Sequence, residues 1–218
     1  MNNVCSKVGR IGEVLLLCIG FAGPASVRAT SDAELSARFA RIQADPMRYR
    51  QALAAGRERA TLCSVCHGED GNSRKPDVPN LAGQNPHYLW KQIDNFASGR
   101  RRNFVMQALA KDFTDEDKIN LAIYFASNMP RTGPADPQRA PRGAKLFRQR
   151  CAACHGPDGH GTRDYARLAG QRREYLVATL TAFRDGNGKR RSNVMSAQVR
   201  ELSDDDIADL AAYLSALE

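Results

Sequence analysis

The chain has 218 residues, 32 of them basic and 24 acidic, for a formal charge of +8. That balance is mildly basic, and no basic tract is interleaved with aromatics, which argues against a nucleic-acid ligand. The length suits two small domains or one medium one. Past the N-terminus no segment is apolar enough to span a bilayer, which takes about 20 residues, so a soluble mature protein is expected.

Residues 1–29 read as an export signal. Lys7 and Arg10 form its positive region, residues 14–22 (VLLLCIGFA) its apolar core, and Val27-Arg28-Ala29 resembles a small-residue cleavage site. Two competing readings make Cys18 a lipidated N-terminus or leave the segment as an uncleaved anchor; Leu17 stands where a lipid-attachment signal wants a small residue. Cleavage after Ala29 leaves 29 basic and 23 acidic residues, a charge of about +6. It also leaves four of the six cysteines. In residues 30–55, Ser31-Asp32-Ala33-Glu34 could open a helix as a capping box, and Pro46 could begin a second. This extension is expected to cover the domain that follows, with partner docking as the alternative.

The four remaining cysteines lie in Cys63-Ser64-Val65-Cys66-His67 and Cys151-Ala152-Ala153-Cys154-His155, 88 residues apart. Cys-x-x-Cys-His is the attachment signal for c-type haem: the thiols add to the vinyl groups and the histidine ligates iron. Two covalent haems are therefore expected, on Cys63 and Cys66 and on Cys151 and Cys154, with His67 and His155 as axial ligands. Haem attachment and the leader point to the same compartment, one reached by export. A zinc site is a weaker reading, because the motifs are far apart and each histidine directly follows a cysteine. A dithiol oxidoreductase would need a βαβ pattern, and none is present.

Short helices over 56–62 and 143–150 are expected to lead into the two motifs. Beyond each motif the sequence repeats. Leu81-Ala82-Gly83-Gln84 recurs as Leu168-Ala169-Gly170-Gln171, Tyr88 as Tyr175, Phe96 as Phe183 and Gly99 as Gly186. Asn103-Phe104-Val105-Met106 aligns with Asn193-Val194-Met195 across a small gap, and Thr114-Asp115-Glu116-Asp117 with Ser203-Asp204-Asp205-Asp206. Helical spacing marks 88–97 and 175–183. Thr114 and Ser203 are N-cap candidates for helices that place Ile119, Ala122, Ile123 and Ala126, and Ile207, Leu210, Ala211 and Leu214, on one face. No strand alternation is evident. Between the copies, residues 129–143 carry Pro130, Pro134, Pro137 and Pro141, which bar a continuous helix. The organisation expected is all-α: a signal at 1–29, a domain with its helical extension at 30–133, and a second domain at 134–218.

Iron held by one histidine needs a second ligand or an open position. Met106 lies 39 residues past His67, and Met195 lies 40 past His155. Each precedes a capped helix by the same distance, so each can reach the opposite haem face on a wrapping loop. The alternative is a pair of core methionines at matching repeat positions. Met129 has no counterpart and reads as a packing residue. His160 is too near His155 to reach the opposite face, and a Gly-rich loop is its expected context. His87 aligns with Glu174 and reads as a surface or interface histidine; were it a ligand, the first haem would be bis-histidine.

On these motifs, over residues 55–218, each repeat resembles a class I cytochrome c domain, and the pair is similar to dihaem cytochromes of the c4 type, which are bacterial periplasmic electron carriers. The resemblance implies two tandem class I cytochrome c domains, His/Met ligation at both irons, and electron delivery toward a terminal oxidase. It also implies a proline two residues before each Leu-Ala-Gly-Gln segment, whose carbonyl accepts from the haem histidine's ring N–H. Pro79 fits; the second repeat has Ala166 there. That bond tunes ligand basicity, so the two haems are expected to differ in potential.

With both axial positions filled, the expected job is outer-sphere electron transfer between redox protein partners, with no small-molecule substrate. Arg100-Arg101-Arg102 and Lys189-Arg190-Arg191 precede the two methionines. They either steer acidic partners or neutralise haem propionates. The alternative function is a haem c subunit, or a catalytic dihaem domain, of a periplasmic dehydrogenase acting on sulfur compounds or the like.

Overall fold

A computed structural model describes residues 31–188 and 190–218; the export-signal and Cys18 readings lie outside the described residues. Asp32–Glu218 forms one compact unit. Its helices in chain order are α1 (Asp32–Ala44), α2 (Pro46–Arg59), α3 (Thr61–His67), α4 (Pro86–Ala97), α5 (Phe104–Ala110) and α6 (Asp115–Ala126). A second series follows as α7 (Ala140–Arg150), α8 (Ala152–His155), α9 (Arg173–Arg184), α10 (Asn193–Val199) and α11 (Asp204–Ala216). Among the described residues the only strand-like pairing is an isolated antiparallel bridge between Arg101 and Arg190. The fold is all-α, as expected.

Local chemistry sets the helix ends. The Asp45 carboxylate accepts from the N–H groups of Met47 and Arg48, and Pro46 occupies the first turn. This start carries α2 through Gly56 to Arg59, so the short helix expected at 56–62 is instead the end of a long one and the start of α3. Thr114 and Ser203 each close a full capping box, with Asp117 and Asp206 accepting from the cap N–H. The linker stays irregular until α7, where Pro141 sits in the first turn.

Two hydrophobic clusters form. The first gathers Leu35, Phe39, Leu89, Trp90, Ile119, Leu121 and Ile123; the second gathers Phe147, Leu176, Leu202, Ile207, Leu210 and Leu214. Leu35 and Phe39 come from α1, so the extension does cover the first half. The four apolar residues expected on one face of α11 are all buried. On α6, Ala126 is only half-buried while Leu121 and Phe125 are buried, because α6 packs against both α2 and α4. A Cβ on Gly56 would strike the Asn120 carbonyl, and one on Gly143 the Asp209 carbonyl. These two glycines let α2 approach α6, and α7 approach α11. Met129, expected to pack, is 83% exposed. The fold uses its carbonyl instead, which accepts from Asn72 Nδ2 at 2.9 Å.

The halves are joined by a reciprocal amide clasp. Gln84 Oε1 accepts from the Arg167 N–H at 2.6 Å, and its Nε2 donates to the Arg167 carbonyl at 2.9 Å. Gln171, its counterpart, does the same to the backbone of Asn80 at 2.7 and 3.0 Å. Asn80 Nδ2 adds a bond to the Gly170 carbonyl at 2.8 Å.

Candidate haem sites

Each motif sits on a helix that ends at its histidine, α3 at His67 and α8 at His155. Both imidazoles are 8% exposed. His67 Nδ1 lies 2.9 Å from the Pro79 carbonyl, and His155 Nδ1 lies 2.8 Å from the Ala166 carbonyl. A carbonyl only accepts, so Nδ1 carries the proton in both rings and Nε2 keeps its lone pair. That is the tautomer a metal ligand needs. Replacing proline by alanine has not lengthened the bond. Burial holds both imidazoles below their ordinary pKa, the carbonyl bonds oppose it, and Arg101 and Arg190 respectively add to the depression.

The cysteines are free and half-buried. Burial raises the Cys63 thiol, and raises Cys151 to about 11. Among the described residues no group of three or more His, Cys, Asp or Glu side chains is placed to hold a metal ion.

The methionines occupy equivalent places. Asn103 caps α5 and its side chain accepts from the Met106 N–H at 3.0 Å; Ser192 caps α10 and accepts from the Met195 N–H at 3.3 Å. The gap placed between Asn103 and Met106 in the repeat alignment is therefore absent. Ser192, not Asn193, is the counterpart of Asn103, and the two extra residues fall before Arg190. Both methionines are half-buried. Phe104, Val105 and Val194 beside them are exposed apolar side chains, suited to a large apolar ring. The donor set in each half thus fits haem c: two thiols, an imidazole with Nε2 free, and a methionine fixed by a helix cap.

The other candidates go elsewhere. His87 is buried and its Nε2 lies 3.0 Å from Ser36 Oγ of α1, which removes support for a bis-histidine site. His160 sits among Gly156, Gly159 and Gly161, with Nε2 2.7 Å from the Glu218 carbonyl. Among the described residues of the two basic loops, the central arginines turn inward. Arg101 Nη2 donates to Tyr175 Oη at 3.0 Å and its guanidinium lies over Phe96. Arg190 lies over Tyr88 and Phe183. Arg100 pairs with Asp94 at 2.6 Å, while Arg102 and Arg191 are exposed. Sequence reading missed the clasp of Gln84 and Gln171, although both repeats carry a polar glutamine directly after a glycine.

The fold and these sites define a c-type cytochrome. The cytochrome c family model matches residues 140–218. Cytochrome c4 of Azotobacter vinelandii is 36% identical over 185 residues, covering 75% of this chain and 88% of that protein. A thiosulfate dehydrogenase electron acceptor of Stutzerimonas stutzeri is 34% identical over 171 residues, covering 72% and 79%. The crystal structure of reduced recombinant cytochrome c4 from Pseudomonas stutzeri superimposes with a TM-score of 0.70 at 35% identity, covering 76% of this chain and 98% of that one. The chain belongs to the cytochrome c4 family and is an electron-carrying cytochrome.

Proposed function

We propose that this is a periplasmic carrier with two haem c groups, in domains 30–133 and 134–218. Cys63 and Cys66, with His67 and Met106, would hold one group; Cys151 and Cys154, with His155 and Met195, would hold the other. The observation that carries this reading is the twofold recurrence of a buried Cys-x-x-Cys-His histidine whose Nδ1–H is fixed by a carbonyl. When bound, the group supplies one-electron redox chemistry, and His/Met ligation places its potential high. The chain's own residues orient the ligands, exclude water and set the local charge. Arg101 and Arg190 lie near His67 and His155, where they would offset propionate charge. Arg102 and Arg191 remain to attract an acidic partner surface.

Electrons would pass toward a terminal oxidase. The thiosulfate-dehydrogenase acceptor among the relatives favours a second reading of the donor side, in which a sulfur-oxidising dehydrogenase reduces this protein. Mass analysis after acid denaturation tests the core of the proposal: two covalent haems per chain are expected, and one or none would overturn it. Stopped-flow oxidation by a membrane oxidase, and reduction by a thiosulfate-oxidising dehydrogenase, then separate the partner readings.

A further inference from the structure

At the junction, two buried polar atoms face each other. His87 Nδ1 and Asp164 Oδ1 are 4.0 Å apart and neither has a hydrogen bond, while Lys91 Nζ lies 3.8 Å from the same carboxylate oxygen. Ser36 Oγ meets three polar groups here. Ser36 Oγ donates its single proton to the Asp32 carbonyl at 2.7 Å and accepts from Arg163 Nη1 at 2.7 Å. With that proton on the Asp32 carbonyl, the remaining contact has His87 Nε2 as its donor. Neutral His87 then points a bare Nδ1 lone pair at a carboxylate oxygen. Acceptor opposes acceptor in a buried place, an arrangement that one proton would convert into an ion pair.

Asp164 belongs to the segment that orients the second site's ligand. Two residues on, the Ala166 carbonyl holds His155 Nδ1 at 2.8 Å, and Tyr165 meets the His155 ring edge-on with centroids 6.1 Å apart. Asn85, two residues before His87, donates to the Tyr165 carbonyl at 2.9 Å. Side chains of the first half thus grip the segment that carries the acceptor for His155. The reciprocal place lacks an imidazole: the counterparts of His87 and Asp164 are Glu174 and Asp77. The first site is therefore an internal control.

We infer that His87 and Asp164 form a proton-linked positioning pair through which the first half sets the second site's reduction potential. This rests on the two-haem reading above. Proton uptake at Nδ1 from solvent places positive charge beside Asp164 and draws the 163–166 segment toward α4. Added positive charge near His155 favours the reduced state there. By linkage, an electron arriving at the second site raises the proton affinity of His87 by the same factor. The charged groups bearing on His87 are Asp32 of α1, Lys91 of α4, and Arg163 and Asp164 of the facing segment; Phe39 of α1 packs on its ring at 5.3 Å. Burial, then Arg163, depress its pKa, while Asp164 and Asp32 oppose them and Lys91 adds to the depression. The proton therefore arrives below the ordinary imidazole value of about 6.5.

Redox titrations of the holoprotein between about pH 4.5 and 6.5, on wild type and His87→Gln, test the inference. In wild type the second component's potential should rise as pH falls, by the equivalent of a two- to tenfold change in proton affinity, tenfold being about 59 mV. His87→Gln keeps a donor for Ser36 and should flatten that dependence, while the first component keeps its wild-type profile. A wild-type slope in His87→Gln, or no slope in wild type, overturns the inference. Proton NMR of the fully reduced protein gives a second readout that does not depend on counting haems. Asp164→Asn should lower the His87 proton affinity at least threefold, and an unchanged titration also overturns the pairing. A single redox component, with one haem by mass, would instead fail the two-haem reading.

Discussion

Helices α4 and α9 hold equivalent positions 87 residues apart, yet their outer faces meet different surroundings. On α4, His87 and Trp90 are buried, with Phe39 of α1 against the His87 ring. On α9 the corresponding face, Arg173, Glu174, Val177, Ala178, Thr181 and Ala182, lines an open hollow of about 480 Å³. Side-chain size follows cover: Trp90 becomes Val177, and His87 becomes an exposed Glu174. A large aromatic contributes stability only where something removes it from water, and only the first half has an extension to do so. The second half is held differently. Asp209, its carboxylate 5% exposed, takes Arg142 Nε at 2.6 Å and Arg139 Nη1 at 2.9 Å. The first half has Asn120, Ala55 and Ala52 at those places, and Asn120 Oδ1 is buried with no partner. One repeat is thus roofed by a helix and the other stapled by ions.

The roof should be the larger effect. Phe39→Ala should cost about 3–5 kcal/mol in the first half alone, seen as an earlier unfolding transition for that half in calorimetry, with the second unmoved. A uniform loss in both halves would show that α1 supports the junction more than the α4 face.

Ligation should distinguish the halves next. Met106→Ala and Met195→Ala should each remove one sulfur–iron charge-transfer band and lower one potential by on the order of 100 mV or more, a fraction of the ~0.8 V that axial ligands span. Wild-type spectra in both variants would make the methionines core residues only.

The ion staple gives the second half its own acid response. Hydrogen bonding from Arg142 holds the Asp209 carboxyl below its ordinary range, with Arg139 adding to it against burial. A depressed carboxyl contributes stability that is complete above the unfolded value of about 3.9. That stability is lost as pH falls through the lower folded value. Asp209→Asn should lower the second half's stability at neutral pH and remove this acid-sensitive component. Equal acid profiles in variant and wild type would show the pair to be solvated and idle.

The clasp should give the smallest effect. Gln84→Ala and Gln171→Ala each remove two hydrogen bonds across the junction, about 1–3 kcal/mol in total. Because the bonds are reciprocal, the two variants should loosen the junction equally in amide exchange. Unequal losses would mean that Arg101 and Tyr175 hold one side alone.

The sequence by itself determined the haem motifs, the duplication, the helical class, the capping boxes at Thr114 and Ser203, and the matching of Met106 with Met195. Each of these is a local signal: a reactive pentapeptide, a period of 3.6, a cap three residues from its acceptor. It also placed the histidine acceptors at Pro79 and Ala166, through family resemblance rather than through spacing. Only the tertiary structure decided what happens between the copies. That Gln84 binds the backbone of residue 167, that Arg101 and Arg190 turn inward while Arg100, Arg102 and Arg191 stay in solvent, and that His87 meets Asp164 all depend on how two similar surfaces dock. Docking joins residues about 75 to 90 positions apart, where no periodicity links them. The same limit explains the misreading of Met129, whose apolar side chain suggested packing while the fold required only its carbonyl.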